Sequence, residues 1–310
     1  MIPYQPSQVV PARGAVLLLL TAIVGGAVIG ALGSLLANLF FLILLFPLLM
    51  GLMGGVLIAI AVRYGKIRNP LAALVAGLVI GVVIYGSMWA VDYLQFRNSA
   101  KSESVARSPA ANPAEVEASI DKDLISKTGQ PGFLGFMLFK AQAGVLIGRL
   151  GNGSISLNLG PVFSWIYWAI ELLIILWVAA LTGRGPAREP FCEACERWYR
   201  LPALLGTLGA SRTKEVLGLI ESNQFQKLGE ELQSNPALPN VGVFLATCGD
   251  DCANGDAYLA ARQQSRNSKG TVVLKDLSKG LISPLHLQDL RRGIETRKAL
   301  YGVKSAIQSK

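Results

Sequence analysis

Residues 14–62 read GAVLLLLTAIVGGAVIGALGSLLANLFFLILLFPLLMGLMGGVLIAIAV, 49 consecutive positions without one Asp, Glu, Lys or Arg. A helix that crosses the hydrocarbon core of a bilayer needs about 20 apolar residues, so this run is long enough for two crossings. Lipid offers no partner to a backbone N–H or C=O, which restricts such a run to internally bonded helices. We expect spans over residues 14–36 and 39–62, turned by Ser34 to Asn38 into a tight antiparallel hairpin. Pro47 lies inside the second span, where its missing N–H predicts a kink. The first run is longer than a secretory h-region and passes straight into the next span, so it reads as a retained signal anchor.

Working outward, residues 71–94 and 161–182 also satisfy the length test, for four spans in all. The whole composition agrees. Hydrophobic residues make up 52% and charged residues 16% of 310 positions, with a mean hydropathy of +0.44. A soluble chain carries about 25% charge, and that excludes a soluble enzyme, a disordered protein and a secreted disulfide scaffold as accounts of the whole.

Lys and Arg stay on the cytoplasmic side of short loops. Arg63, Lys66 and Arg68 follow the second span, Arg184 and Arg188 follow the fourth, and Arg13 precedes the first. Both termini are then expected inside and residues 95–160 outside. Residues 132–150, GFLGFMLFKAQAGVLIGRL, resemble a fifth span, but Lys140 falls near the middle, where a cation is costly. An interfacial helix that rests its Phe and Leu face on the membrane is the expectation. Residues 98–112 are rich in Ser, Ala and Pro and read as a flexible linker. A short helix follows it, with Asn112 as its cap, Pro113 at its first position and Glu115 at its third.

The chain thus divides into an extended N-terminal segment (1–13, with Pro3, Pro6 and Pro11), three transmembrane helices (14–94), the outer loop (95–160), a fourth transmembrane helix (161–183) and a soluble tail (184–310). No repeat at a fixed period of 20–50 residues is visible. The tail holds 18 Lys or Arg against 13 Asp or Glu. Residues 211–222 open on a serine cap and repeat apolar residues at helical spacing, and 223–233 suit a second short helix. The period then changes, and VGVFLATC (241–248), AYLAARQQ (257–264) and TVVLKDL (271–277) read as three strands. Pro284 breaks the pattern before a final helix over 285–300. The expected fold class is a four-helix membrane unit joined to a small α+β domain with a three-stranded antiparallel sheet.

All four cysteines lie in the tail: Cys192 and Cys195 in FCEACERWY, Cys248 and Cys252 in ATCGDDCANG. Two closely spaced pairs, each at a turn beside apolar structure, suit a tetrahedral thiolate site for structural zinc. A reducing cytoplasm favours thiols as metal ligands over disulfides. The second pair has three intervening residues where two are commoner, and Asp250 and Asp251 add negative charge beside it. Two disulfides, or four plain thiols, remain alternatives. A thioredoxin-like role for Cys192 and Cys195 lacks the surrounding βαβ pattern.

Glu171 stands near the centre of the fourth span, where an ionisable group is costly unless it is paired, hydrated or protonated. It reads either as a hydrogen-bonding link to a neighbouring helix or as the acid of an ion- or proton-coupled transporter or channel. The other spans offer Thr21, Ser87 and, near a helix end, Asp92. Gly26 and Gly30, like Gly77 and Gly81, have the small-xxx-small spacing that lets helices approach closely, within the chain or between copies. Trp89, Tyr93, Trp165, Tyr167 and Trp168 sit at outer span ends and suit an interfacial belt.

No phosphate-binding glycine loop or G-x-S-x-G elbow is present, and the lone histidine, His286, has no Cys or second His nearby in sequence. Five of the nine net positive charges are spread through the tail among acids, which suits anionic lipid better than nucleic acid. The join of a four-span unit to a cysteine-pair tail resembles several bacterial membrane proteins, and the resemblance implies no activity. The expectation is a bacterial inner-membrane protein without enzymatic activity, an accessory, assembly or interaction subunit that meets protein partners or copies of itself through a zinc-binding domain.

Overall fold

The computed structural model describes residues 1–37, 45–107, 112–144, 160–233, 237–249, 252 and 255–308. The chain forms two compact units, one of Gln8–Ala187 and one of Met1–Ser7 together with Arg188–Lys310.

The first unit is helical. Helix α1 (Ala12–Leu20) runs through one π-helical stretch (Thr21–Gly25) into α2 (Gly26–Ala37), followed by α3 (Leu45–Tyr64), α4 (Pro70–Arg107), α5 (Pro113–Thr128), α6 (Gly132–Ala143) and α7 (Gly160–Arg184). Four helical stretches among the described residues are long and apolar enough to cross a membrane: Ala12–Leu36, Leu45–Tyr64, Pro70–Ser104 and Gly160–Arg188. Gly33 faces Met50 and Phe46, Gly25 faces Leu57 and Gly14 faces Gly65, so the α1–α2 stretch and α3 run antiparallel. Ser34 to Ala37 are helical, so the expected turn at Ser34 does not begin there; Asn38 lies outside the described residues. Pro47 is the third described residue of α3, and residues 38–44 before it, on which the expected kink depends, lie outside the described residues.

Small residues set the spacing of this bundle. A Cβ on Gly26 would lie 2.9 Å from Val83 Cγ1, and one on Gly30 would lie 2.8 Å from Ser87 Cβ, so both glycines seat α2 on α4. Gly77 and Gly81 do the same for α4 on α7, where the added Cβ would meet Ala180 Cα at 2.6 Å and Leu176 Cδ2 at 2.8 Å. Isoleucines 58, 80, 84 and 175 fill the core between these helices. The outward positions are apolar too: Leu19, Val82, Leu173 and Trp177 are 56–68% exposed.

The expected linker at 98–112 is corrected over residues 98–107, and residues 108–111 lie outside the described residues. Helix α4 continues to Arg107, because its polar end is held by α5: Lys101 pairs with Glu117, and Arg97 lies 3.8 Å from both Glu117 and Asp121. Ser102 and Ser104 return their hydroxyls to the carbonyls of Asn98 and Ala100, at 3.0 and 2.9 Å, which satisfies both side chains within the helix. The start of α5 is as expected, with Asn112 Oδ1 accepting from the Ala114 amide at 3.2 Å and Pro113 beside the cap. Helix α6 covers only the first part of the expected interfacial segment, and residues 145–150 lie outside the described residues. Phe136 turns inward against Phe96, Tyr93 and Trp89 and is 1% exposed, while Phe133 and Leu134 stay exposed. Trp89 is likewise buried, packed edge-on against Trp168 at 4.6 Å, and does not belong to an outward belt.

The second unit is α+β. A short hairpin of β1 (Phe191–Cys192) and β2 (Arg197–Trp198) precedes β3 (Ala203–Gly209), α8 (Thr213–Glu221), α9 (Phe225–Glu231), β4 (Asn240–Ala246), β5 (Ala257–Arg266), β6 (Val272–Ile282) and α10 (Pro284–Gln308). The main sheet is antiparallel with order β3-β4-β5-β6, so it has four strands where three were expected. The strand not anticipated, β3, carries Gly206 at its bulge and Gly209 at its end, which breaks the apolar alternation. Val241, Val243, Leu259 and Ala261 point to one face, against Val216, Leu219, Phe225, Leu228 and Leu290 of the helices. Phe244, Ala246, Tyr258 and Ala260 point to the other, where Tyr4 and Tyr199 pack. Ser211 does not cap α8; it sits in a 3₁₀ turn, Ala210–Arg212, and Thr213 donates to the Ala210 carbonyl at 2.6 Å. His286 packs its ring 4.9 Å from that of Phe225.

Met1–Ser7 belong to this unit. Ile2 pairs with Leu281 as an antiparallel bridge, and the Tyr4 hydroxyl donates to the Glu189 carbonyl at 3.0 Å.

Candidate metal centre

Two hairpin ends supply the cysteines. In the first, Cys192 pairs with Arg197 and Phe191 with Trp198, so Cys192 ends β1 and Cys195 lies in the turn that joins β1 to β2. The Phe191 and Trp198 rings pack edge-on at 4.9 Å and close the base of this small hairpin. Glu196 takes a left-handed φ of 50° to complete the turn. In the second, Cys248 follows the end of β4 and Cys252 lies in the connection to β5.

Two polar contacts hold the two ends side by side, and a third closes the first hairpin on itself. The Arg200 amide donates to the Thr247 carbonyl at 3.0 Å, and the Tyr199 amide donates to the Pro190 carbonyl at 3.1 Å. The Tyr199 hydroxyl donates to the Asp256 carbonyl at 2.7 Å. The chain leaving the first cysteine pair is thereby stitched to both sides of the second.

The four sulfurs converge. All lie within 4.8 Å of one another, and Cys192 and Cys252 are 3.8 Å apart. Zinc–sulfur bonds near 2.3 Å in a tetrahedron require sulfur separations of about 3.8 Å, so the widest separation must close by about 1 Å. No disulfide is present among them: all four cysteines are free thiols. Cys192 and Cys248 are buried, while Cys195 and Cys252 are half-buried. Gly255 closes the site from one side. A Cβ there would lie 2.6 Å from Cys252 Sγ, 3.1 Å from Cys192 Sγ and 3.4 Å from Cys248 Sγ, so only glycine leaves the sulfurs room.

The electrostatics are those of a crowded thiol cluster. Burial opposes ionisation of Cys192, but hydrogen bonds from the Cys195 amide, the Cys195 and Cys248 thiols and the Ala194 amide outweigh it and hold Cys192 below the ordinary thiol value. Burial pushes Cys248 and Cys195 up, and their sulfur neighbours add to the rise at Cys248. Burial, then the Cys192 and Cys248 sulfurs, raise the Tyr199 phenol. Thiolates crowded at this spacing would repel one another, and a divalent cation removes that repulsion by taking them as ligands. The cluster is compatible with a metal such as zinc.

The other expected positions fall elsewhere. Glu171 lies in α7 with its side chain hydrogen-bonded to Tyr167, one turn back on the same helix. The neighbouring Tyr85 hydroxyl of α4 donates to the Trp168 carbonyl at 3.0 Å. Asp92 accepts from Ser34 of α2 and from Lys140 of α6, the latter at 3.2 Å, and so links three helices. Gly26, Gly30, Gly77 and Gly81 pack within the bundle. Asp250 and Asp251 lie outside the described residues. Sequence reasoning missed Tyr199 and Gly255: a tyrosine in RWYR carries no metal signal, and Gly255 reads as an ordinary turn residue. No family model, no curated protein and no solved structure matches this chain.

Proposed function

We propose that this chain is an integral membrane protein of four crossings whose second unit is a zinc-stabilised docking domain, and that it serves as a non-enzymatic accessory or assembly subunit of a membrane complex. The observation that carries the reading is the convergence of two hairpin ends on one closed set of four thiols. Four cysteine donors leave no position for water, which is the pattern of structural zinc. Cys192, Cys195, Cys248 and Cys252 would hold the ion, Gly255 would give them room, and Tyr199 would fix one pair against the other. Bound zinc would supply a cross-link between the two hairpins and no chemistry.

Membrane residence is supported by the four long apolar stretches and by large apolar side chains on their outer faces, beside an interior of glycine, alanine and isoleucine. That pattern is expected where lipid, not water, meets the outer surface. Four crossings are supported by the pairing of Ile2 with Leu281, since segments before the first span and after the last share one compact unit. An even number of crossings puts both on one side. Arg63, Lys66, Arg68 and Arg184 favour the cytoplasm of a bacterial inner membrane for that side. The hydrogen bond of Glu171 to Tyr167 gives this acid a partner within its own helix.

Purification in mild detergent tests the assembly role. A stoichiometric membrane partner should accompany the chain and be lost with Cys248→Ser, while the variant still carries its four spans. The chain alone, together with Glu171-dependent proton flux in liposomes, would replace this reading with a transporter.

A further inference from the structure

The distal end of the β5–β6 hairpin stands apart from both cores of its unit. Every residue from 266 to 276, RNSKGTVVLKD, is exposed. The hairpin is nevertheless fully formed: Arg266, Ser265 and Gln264 pair with Val272, Val273 and Leu274. Asn267 shapes its turn, accepting through Oδ1 from the Lys269 and Thr271 amides at 3.0 and 2.9 Å, and Gly270 takes φ 77°.

Three consecutive apolar residues at this end, Val272, Val273 and Leu274, are 48%, 44% and 48% exposed. Successive strand residues point to opposite faces, so the tip exposes apolar side chains on both, Val272 and Leu274 on one and Val273 on the other. Around them stand Arg266, Lys269 and Lys275. The nearest acid, Asp276, is already engaged by Arg262 at 2.9 Å and Lys279 at 3.3 Å. The tip therefore presents an apolar wedge ringed by three cations.

We infer that this hairpin tip is a membrane-surface contact, which seats Val272–Leu274 in the headgroup region and places Arg266, Lys269 and Lys275 against anionic lipid phosphates. An apolar tip with a basic collar is complementary to an anionic lipid surface, where apolar burial and headgroup attraction act together. A second copy fits worse, because antiparallel pairing of two β6 edges would bring the six cations of two collars together. The inference rests on the membrane reading above: a chain anchored by its own spans holds this tip at high effective concentration near lipid.

The test is hydrogen exchange of the full chain in nanodiscs of neutral phosphatidylcholine and in nanodiscs containing phosphatidylglycerol. Amides of residues 266–276 should exchange at least about tenfold more slowly on the anionic discs, with α8 and α9 unchanged. Arg266→Gln/Lys269→Gln/Lys275→Gln should abolish that difference, and high salt should reduce it in the unaltered chain. Equal exchange on both lipids in a disc-inserted chain overturns the inference and leaves the membrane reading intact. Failure to enter discs at all overturns that reading instead. Protection that follows the number of chains per disc and not lipid charge would assign the tip to a second copy and also overturn the inference.

Discussion

Ile2 and Leu281 exchange two main-chain hydrogen bonds, Ile2 N–H to Leu281 O at 3.1 Å and Leu281 N–H to Ile2 O at 2.8 Å. They close a register between the first residues of the chain and its last strand. The Met1 ammonium extends the same seam by donating to Asn223 Oδ1 at 2.7 Å. A bilayer cannot stand between two residues so joined, which ties a contact inside the second unit to the even number of crossings proposed for the first.

Labelling of intact cells with a membrane-impermeant thiol reagent checks that topology. A cysteine at exposed Ser102 should react and one at exposed Ser268 should react only after the cells are opened. Reaction at both sites in intact cells, or the reverse pattern, would break the four-crossing account.

Gly255→Ala places a Cβ 2.6 Å from Cys252 Sγ, so metal affinity should fall by about 10–100-fold, the usual effect of disturbing a ligand's immediate support. Gly249→Ala is the control, since its Cβ would meet nothing closer than Arg197 Nη1 at 3.9 Å. Competition with a chromogenic chelator reads both. Equal affinities would mean that the thiol cluster does not hold the ion.

Acid should loosen the α8–α9 corner in a narrow window. Arg212 donates two 2.7 Å hydrogen bonds to Glu215 and one at 2.9 Å to Glu231. The hydrogen bonds to Arg212 hold the Glu215 carboxyl below its ordinary value of 4.5. A depressed carboxyl contributes stability that is present above its unfolded pKa and lost as pH falls through the folded one. The loss should therefore begin below about pH 4.5 and be absent in Arg212→Met. Carboxyl NMR shifts against pH check it, and a Glu215 midpoint that does not move in the variant would contradict it.

How much of this was legible in the sequence depends on what each residue reports. The long apolar helices were legible from composition: no charge enters residues 14–62, and the described helices there follow that run. The cysteine set was legible because chemistry marks it, and the fold places all four together. Strand β3 was not, because Gly206 interrupts its apolar pattern in order to pass beside the Leu232 side chain, at 2.9 Å from an added Cβ. The polar end of α4 was misread for a related reason. Ser102, Ser104 and their neighbours have linker composition, and the cations that order them, Arg97 and Lys101, find their acids on α5. The N-terminal residues carry no signal of docking at all: Ile2 and Tyr4 find partners 279 and 185 residues away.

Zinc-edge X-ray absorption on the full chain purified without added metal, paired with elemental analysis, tests the central claim most directly. The account predicts one zinc per chain with four sulfur neighbours at about 2.3 Å. It also predicts that serine at any one of Cys192, Cys195, Cys248 or Cys252 lowers the zinc content. No bound metal, a shell with nitrogen or oxygen ligands in the unaltered chain, or full zinc content in Cys192→Ser would contradict it.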